Sequence, residues 1–427
     1  LKTIIYDDEH VQVIHSPGTS DVLIVTFGDM LSLANGKTFF AELPSQKKNI
    51  SAIGFMAKGR NWYPETSMNA AIQSIKNLLS KSRMVVVYGG SMGGFAALKF
   101  SKKLCANRVY ALAPQYSIDP SVIKDHRYNS YFNKELNQNH TITADDLCGD
   151  VYITHDTIFK TDHQHVNRIS SLGYPVNIVP LRFSIHGATT ILASSSFFSE
   201  IVRPDGVIKA TLYRIFKERR RASGSYVEGL SEYLSKRRYG SALRLIAASI
   251  ESGLIKPNPR VKNTISLCLR SNYSNANCTD NTRILKTLGI PNKRQEYSEP
   301  ALVLKTAHSM FLAYDIITNK IIQTTKEAIQ SFFFVRPLVV RGSSGILSFA
   351  GEHGESVLVQ SGNDIKAIAE SEEYNEKNYI TYRKNRDYFV ISTSTKNLSA
   401  SPNGPCSFSV EHVRDWEKFS VEKVDVA

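Results

Sequence analysis

From Lys2 to about Val202 the chain alternates between short unbroken apolar runs and longer stretches with apolar residues at helical spacing. The first pattern marks strands covered on both faces, the second marks helices laid against them. KTIIY and VQVIHS read as a hairpin. DVLIVTF (Asp21–Phe27), ISAIGFMA, RMVVVY, RVYALAP, DVYITH and VNIVP read as further strands. Between them MNAAIQSIKNLLSK (Met68–Lys81), GGFAALKFSKKL, DHQHVNRISSLG and ATTILASSSFFSEIV read as helices. This repetition predicts a doubly wound α/β domain over residues 1–203. Tyr116–Leu147 breaks the rhythm: it is polar and aromatic, and it stands where a lid or cap insertion is expected.

The pattern then changes twice. Residues 204–298 read as a helical linker domain, with YVEGLSEYLSKRRYGSALRLIAASIESG as a helical hairpin and no second copy at a tetratricopeptide-like period of about 34 residues. Residues 299–427 switch to short strands separated by turns. HSMFLAYDIITNKIIQTT, GILSFAGEHGESVLVQS and YFVISTSTKNLSASPNGPCSFSVEH share one rhythm, recurring at roughly 40–45 residues. DWEKFSVEKV (Asp415–Val424) puts Trp416 and Phe419 just before a closing strand.

Composition narrows the classes. The apolar content of 42% suits a globular protein, and no apolar run approaches the roughly 20 residues of a membrane span. No signal-peptide pattern is present, so a cytoplasmic location is expected, with a removed leader left open by the first residue, Leu1. Cys105, Cys148, Cys268, Cys278 and Cys406 are odd in number and lack C-x-x-C spacing, which argues against a disulfide framework or a zinc knuckle. The net charge of +13 is concentrated in Lys209–Ala222 and Ser235–Gly240. These basic segments read either as solvated helix faces or as a surface for an acidic polysaccharide, phosphates or anionic lipid. No nucleic-acid-binding motif is present, and no nucleic-acid partner is expected.

One stretch carries chemistry. VVVYGGSMGGFAAL (Val85–Leu98) contains G-x-S-x-G at Gly89–Gly93, preceded by a strand and followed by an Ala/Leu-rich helix. That is the context a nucleophile elbow requires. Its serine, Ser91, must sit on a strained turn that large neighbours two residues away on either side would obstruct. The acid and the base are expected later, in that order. Asp156, just after the DVYITH strand, is the expected acid; Asp162 is its rival and is expected to cap the following helix. His186, in a loop after the last core strand, is the expected base. His155, His163 and His165 lack metal-ligand spacing and read as surface or supporting residues, with no metal expected. An oxyanion would need two backbone donors, expected from Met92 and from Gly28 or Asp29. The lipase-type HGGG run is absent.

On these residues the first 203 positions resemble the α/β-hydrolase superfamily. The resemblance implies a nucleophile, acid and base at Ser91, Asp156 and His186. GRNWY (Gly59–Tyr63) and APQYSIDP (Ala113–Pro120) are similar to stretches in bacterial α/β-hydrolase-like proteins without a settled function. Trp62, Tyr63, Gln115 and Tyr116 fall at strand ends on the same edge, where they either line a substrate pocket or pack as aromatic core. The last 129 or so residues resemble a fascin-like β-trefoil by rhythm, without the ricin-type Q-x-W signature. The function expected from all this is a serine hydrolase acting on a carboxylic ester, such as an acyl ester on a carbohydrate or polysaccharide, with no cofactor. The alternatives are a thioesterase or acyltransferase with the same triad, or a non-catalytic glycan- or protein-binding protein on a hydrolase scaffold.

Overall fold

A computed structural model describes residues 2–137, 140–206, 209–271, 279–290, 301–351, 354–372, 374–402 and 406–424. Cys278 lies outside them. The chain falls into two compact units, Leu1–Gly229 and Leu230–Ala427. The helices of the expected segment 204–298 are divided between the two.

The first unit is built on an eight-stranded sheet. Its strands are β1 (Thr3–Asp7), β2 (Val11–Ser16), β3 (Val22–Phe27), β4 (Ser51–Ala57), β5 (Met84–Gly90), β6 (Arg108–Leu112), β7 (Asp150–His155) and β8 (Val176–Pro180). The spatial order is β1-β2-β4-β3-β5-β6-β7-β8. The β1–β2 and β2–β4 pairs are antiparallel and the remaining pairs parallel. All six residues of β3 are buried, as an unbroken apolar strand covered on both faces should be.

The helices are α1 (Glu42–Lys47), α2 (Glu65–Ser74), α3 (Lys76–Lys81), α4 (Met92–Lys99), α5 (Lys134–Asn137), α6 (Lys160–Ser170), α7 (Ala188–Leu192), α8 (Ser195–Ile201) and α9 (Lys209–Arg219), and the division of the chain falls within α10 (Gly224–Leu234). Two expected helices are each broken in two. Met68–Lys81 is interrupted at Ile75 (φ −102°, ψ 0°). Ala188–Val202 is interrupted at Ala193, because Ser194 caps the next helix by accepting the Phe197 N–H at 3.2 Å. Every residue of α4 is buried, including Lys99, whose ammonium bonds the Thr141 carbonyl (2.8 Å) and Asp146 (3.0 Å).

Those bonds fasten the Tyr116–Leu147 insertion to the central helix. Further along, His140 bonds the Trp62 carbonyl at 2.9 Å and Asn137 donates to the Asn61 carbonyl at 2.9 Å. The segment expected to be a lid is therefore stitched to the domain at several points. The basic helix α9 buries Leu212, Ile215 and Phe216. Of its cations, Arg219 donates to the Ile191 carbonyl (2.7 Å) and Arg214 pairs with Glu218 (2.8 Å).

In the second unit, helices Tyr239–Glu251, Pro259–Ser271 and Thr279–Thr287 precede thirteen described strands between Ala301 and Val424. All the strand pairings described there are antiparallel, in two five-stranded sheets and one three-stranded sheet. One apolar core, including Leu312, Tyr314, Phe349, Leu358, Ile391 and Phe419, holds them together. Phe419 is buried, whereas Trp416 is 46% exposed. No helix among the described residues is long and apolar enough to cross a membrane.

Gly54 gives a check on the packing of the first sheet. A Cβ there would occupy the space of the Phe39 side chain. Gly54→Ala should cost about 1–3 kcal/mol of stability, as overpacking does. An unchanged urea midpoint would contradict this packing.

Candidate active site

The strand order locates a crevice before any side chain is considered. After β3 the chain adds β4 on one side and β5 on the other, and open α/β sheets bind ligands at the carboxyl ends of strands flanking such a reversal. Strand β3 runs out into Gly28 and Asp29, and β5 runs out into Ser91. Ser91 has φ 52° and ψ −120°, a conformation costly for a residue with a Cβ. Its N–H bonds the Leu112 carbonyl at 2.8 Å, and its carbonyl accepts the Phe95 N–H at 2.9 Å to open α4.

The glycines make this turn feasible. A Cβ on Gly89 would strike the Gly93 carbonyl, one on Gly93 would strike the Phe27 carbonyl, and one on Gly90 would strike Thr189. Their absence lets the elbow close against the end of β3 and against α7, which follows the His186 loop.

His186 Nε2 lies 2.8 Å from Ser91 Oγ, and His186 Nδ1 lies 2.7 Å from Asp162 Oδ2. The acid beside the imidazole is Asp162, which corrects the expectation of Asp156. Asp162 stands in the first turn of α6, but the N-cap position is Phe159 and no side chain caps that helix. The Asp162 carboxylate is thus turned to His186 rather than to the helix amides. Asp156 is spent on backbone: its oxygens accept the Ile158 and Ile185 N–H groups, each at 2.9 Å. Burial raises the Asp156 carboxyl above its ordinary value, against the pull of those amides. By holding Ile185 (φ 53°) it fixes the loop one residue ahead of His186.

Arg127, from the insertion, extends the array. Its Nη2 donates to Asp162 Oδ1 at 2.8 Å and to Asp125 Oδ2 at 2.6 Å. Asp125 also meets His165 Nε2 at 3.1 Å. Burial alone would raise the Asp125 carboxyl, but His165 and Arg127 outweigh it and hold the group well below its ordinary range. Both carboxylates are nearly inaccessible, whereas His186 is 29% exposed.

The expected oxyanion donors separate. Met92 is the first residue of α4, so its N–H has no intrahelical acceptor. The Gly28 N–H is committed to the Phe55 carbonyl at 3.0 Å, which removes Gly28 as a donor. The Asp29 N–H takes no partner among the described residues, while the Asp29 carboxylate accepts from Leu31 and Ser32.

The four expected pocket residues reach the site mainly through hydrogen bonds. Tyr63 is fully buried, its hydroxyl 2.8 Å from the Gly28 carbonyl and 3.0 Å from that of Phe55, so it braces the loop carrying Asp29. Trp62 is also fully buried and donates to Gln115 Oε1 at 3.1 Å. Gln115 Nε2 lies 3.4 Å from Ser91 Oγ. The Tyr116 N–H donates to His165 Nδ1 at 2.9 Å. Sequence reasoning missed Asp125, Arg127 and Tyr128, all in the aperiodic insertion. The Tyr128 hydroxyl is 3.1 Å from Gln115 Nε2 and 3.4 Å from His186 Nε2.

His155 and His165, expected among surface or supporting residues, are both buried. His155 Nε2 meets His163 Nδ1 at 3.1 Å, and the two rings stack. Among the described residues no group of three His, Cys, Asp or Glu side chains could hold a metal ion.

No protein-family model matches the chain, and no curated protein matches it in sequence. Solved structures that resemble it cover about its first half. The capsule O-acetyltransferase of Neisseria meningitidis serogroup A is 14% identical over 46% of this chain and 94% of its own, with a TM-score of 0.34. The fluorophosphonate-binding serine hydrolase F of Staphylococcus aureus is 11% identical over 51% and 97%, with a TM-score of 0.32. A fungal esterase from Rhizomucor miehei is 14% identical over 51% and 84%, with a TM-score of 0.32. Likenesses at this level leave the chemistry to be read from the atoms of the site.

The buried His155 predicts a pH dependence. Burial lowers the His155 imidazole from 6.5 to about 4, with His163 adding to the effect and Asp162 opposing it. Between those values the unfolded chain binds a proton that the folded chain does not, so stability falls as pH drops from 6.5 to 4. The full window is worth about 3 kcal/mol. His155→Phe should flatten that limb of the stability curve in urea titrations above pH 6.5 and near pH 4. A limb as steep as that of wild type would refute the assignment.

Proposed function

We propose that the first unit is a serine hydrolase of α/β-hydrolase type that transfers an acyl group from a carboxylic ester through a Ser91 acyl-enzyme. The observation that carries this is the continuous set of contacts from Ser91 Oγ through His186 to Asp162, 2.8 and 2.7 Å long, ending on a serine in a strained elbow. A scaffold retired to binding has no use for that strain, roughly 1–3 kcal/mol at each such residue. Around Ser91, positive φ recurs at Trp62, Tyr63, Ala113, Phe183 and Ile185.

In this reading His186 Nε2 takes the Ser91 proton as Oγ attacks the ester carbonyl. Asp162 accepts from Nδ1–H, fixing the tautomer and stabilising the imidazolium. The Met92 and Asp29 N–H groups receive the oxyanion. The proton on Nε2 goes to the departing oxygen. Water or a second hydroxyl then takes the acyl group with the same proton traffic reversed. No step calls on a cofactor.

A carbohydrate ester as substrate, a trefoil-like sugar-binding role for residues 299–427 and an acidic polysaccharide on the basic segments belong to the same proposal. The antiparallel strand repetition of the second unit supports the trefoil reading.

Labelling with a fluorophosphonate probe tests the nucleophile. Wild type should be modified at Ser91, and Ser91→Ala should not. An unlabelled wild type would sink the reading. The two acids give a sharper contrast. Asp162→Asn should lower kcat by about 10³–10⁴-fold, because the tautomer is then wrong. Asp156→Asn should act mainly on stability. Equal losses of kcat in the two variants would mean that Asp162 has no special role.

A further inference from the structure

We propose that Tyr128 is a catalytic residue whose hydroxyl binds the oxygen that leaves from, and enters at, the acyl carbon, and that the substrate is therefore an oxygen ester of a weakly acidic alcohol. This rests on the acyl-transfer reading of Ser91 and extends it to the leaving group.

Hydrogen-bond directions carry the argument. The indole N–H of Trp62 can only donate, so the Gln115 atom facing it at 3.1 Å is the carbonyl oxygen. The Gln115 amide nitrogen is thereby turned to the Tyr128 hydroxyl at 3.1 Å and to Ser91 Oγ at 3.4 Å. Tyr128 oxygen thus accepts, and its own proton is left to be donated. On the other side, His186 Nδ1–H is given to Asp162, so Nε2 is bare and receives the Ser91 proton. Once Ser91 has attacked, that nitrogen must hand its proton to the departing oxygen. Tyr128 hydroxyl is 3.4 Å from the same nitrogen, so an oxygen bonded to Nε2–H comes within reach of the phenol as well.

The balance is simple. The carbon–oxygen bond breaks, its electron pair stays on the departing oxygen, and that oxygen takes the proton from Nε2. Tyr128 donates a hydrogen bond and keeps its proton. Burial lifts its phenol well above the ordinary value, which keeps it a donor. The ring is held in place by Trp62, edge-on at 5.1 Å, and by the Arg127 guanidinium over its face at 5.0 Å. The help is largest where charge on the departing oxygen is hardest to bear: an alkyl or sugar alkoxide gains most, a nitrophenolate or thiolate little.

The test is a leaving-group series on the full chain, wild type and Tyr128→Phe. Acyl esters of 4-nitrophenol, trifluoroethanol and ethanol are compared for kcat and KM. The expected penalty is read in kcat/KM, which reports acylation whichever step limits kcat; it is a few-fold for the nitrophenyl ester and grows to about 10²-fold for the ethyl ester, the size of a lost donor to developing charge. Fluorophosphonate labelling of Ser91, whose fluoride leaves unaided, should persist in the variant and reports that it is folded. A penalty equal across the series, or a loss of labelling with it, overturns the proposal and makes Tyr128 a packing residue. A wild type that neither labels nor turns over any ester removes the acyl-transfer reading itself, and this proposal with it.

Discussion

Two buried carboxylates meet on one guanidinium, and the site depends on that junction. Asp125 and Asp162 come from different segments, and each would be costly to bury alone. Arg127 bonds both, and each carboxylate also meets a histidine: His165 shares Oδ2 of Asp125 with Arg127, and His186 takes the other oxygen of Asp162. Such an array is weak as a source of net stability, because desolvation offsets most of the attraction, but removing one member leaves an uncompensated charge. The consequence is geometric. The insertion cannot be displaced without stripping Asp162 of a partner, so ordering the insertion and aligning His186 become one event. Lys99 on Asp146 and His140 on the Trp62 carbonyl hold the rest of the insertion to the same frame.

A second constraint comes from the backbone. Ser91, Trp62, Tyr63, Ala113, Phe183 and Ile185 all sit at positive φ, and apart from the serine none has a short polar side chain to ease it. Ile185, Tyr63 and Trp62 are each over-determined locally. Asp156 holds the Ile185 amide, the Tyr63 hydroxyl lies against two carbonyls, and Trp62 is clasped between Gln115 and His140. Strain gathered in one place and held by buried hydrogen bonds is what pre-organised donors require, since they must not rearrange when charge appears.

This explains what could be read from the sequence and what could not. The alternation of strands and helices is a local pattern, so the doubly wound sheet of the first unit was legible, as was the elbow, whose glycines and serine are contiguous. His186 was legible by its place after the last strand. Asp162 was legible only as the rival acid, because an acid in the first turn of a helix has a sufficient local explanation as a cap, and only its contact with His186, 24 residues away along the chain, shows otherwise. Gly28 was misjudged for a related reason: whether its amide is free depends on the Phe55 carbonyl of a neighbouring strand. Arg127 and Tyr128 lie in a segment without period or motif, where residue type says nothing about direction.

The two acids near the histidine loop show how position and role come apart. Asp156 follows β7 directly and lies beneath the loop, so its short side chain meets amides before it can meet the imidazole. Asp162 stands six residues on, carried by the first turn of α6 to the Nδ1 edge of the ring. A carboxylate satisfied by two backbone amides is a rigid strut and a poor electrostatic partner for an imidazolium. One bonded to an arginine and an imidazole is oriented by the first and can respond to the second. The same chemical group at two places thus divides the work: one fixes where His186 stands, the other which nitrogen faces the serine.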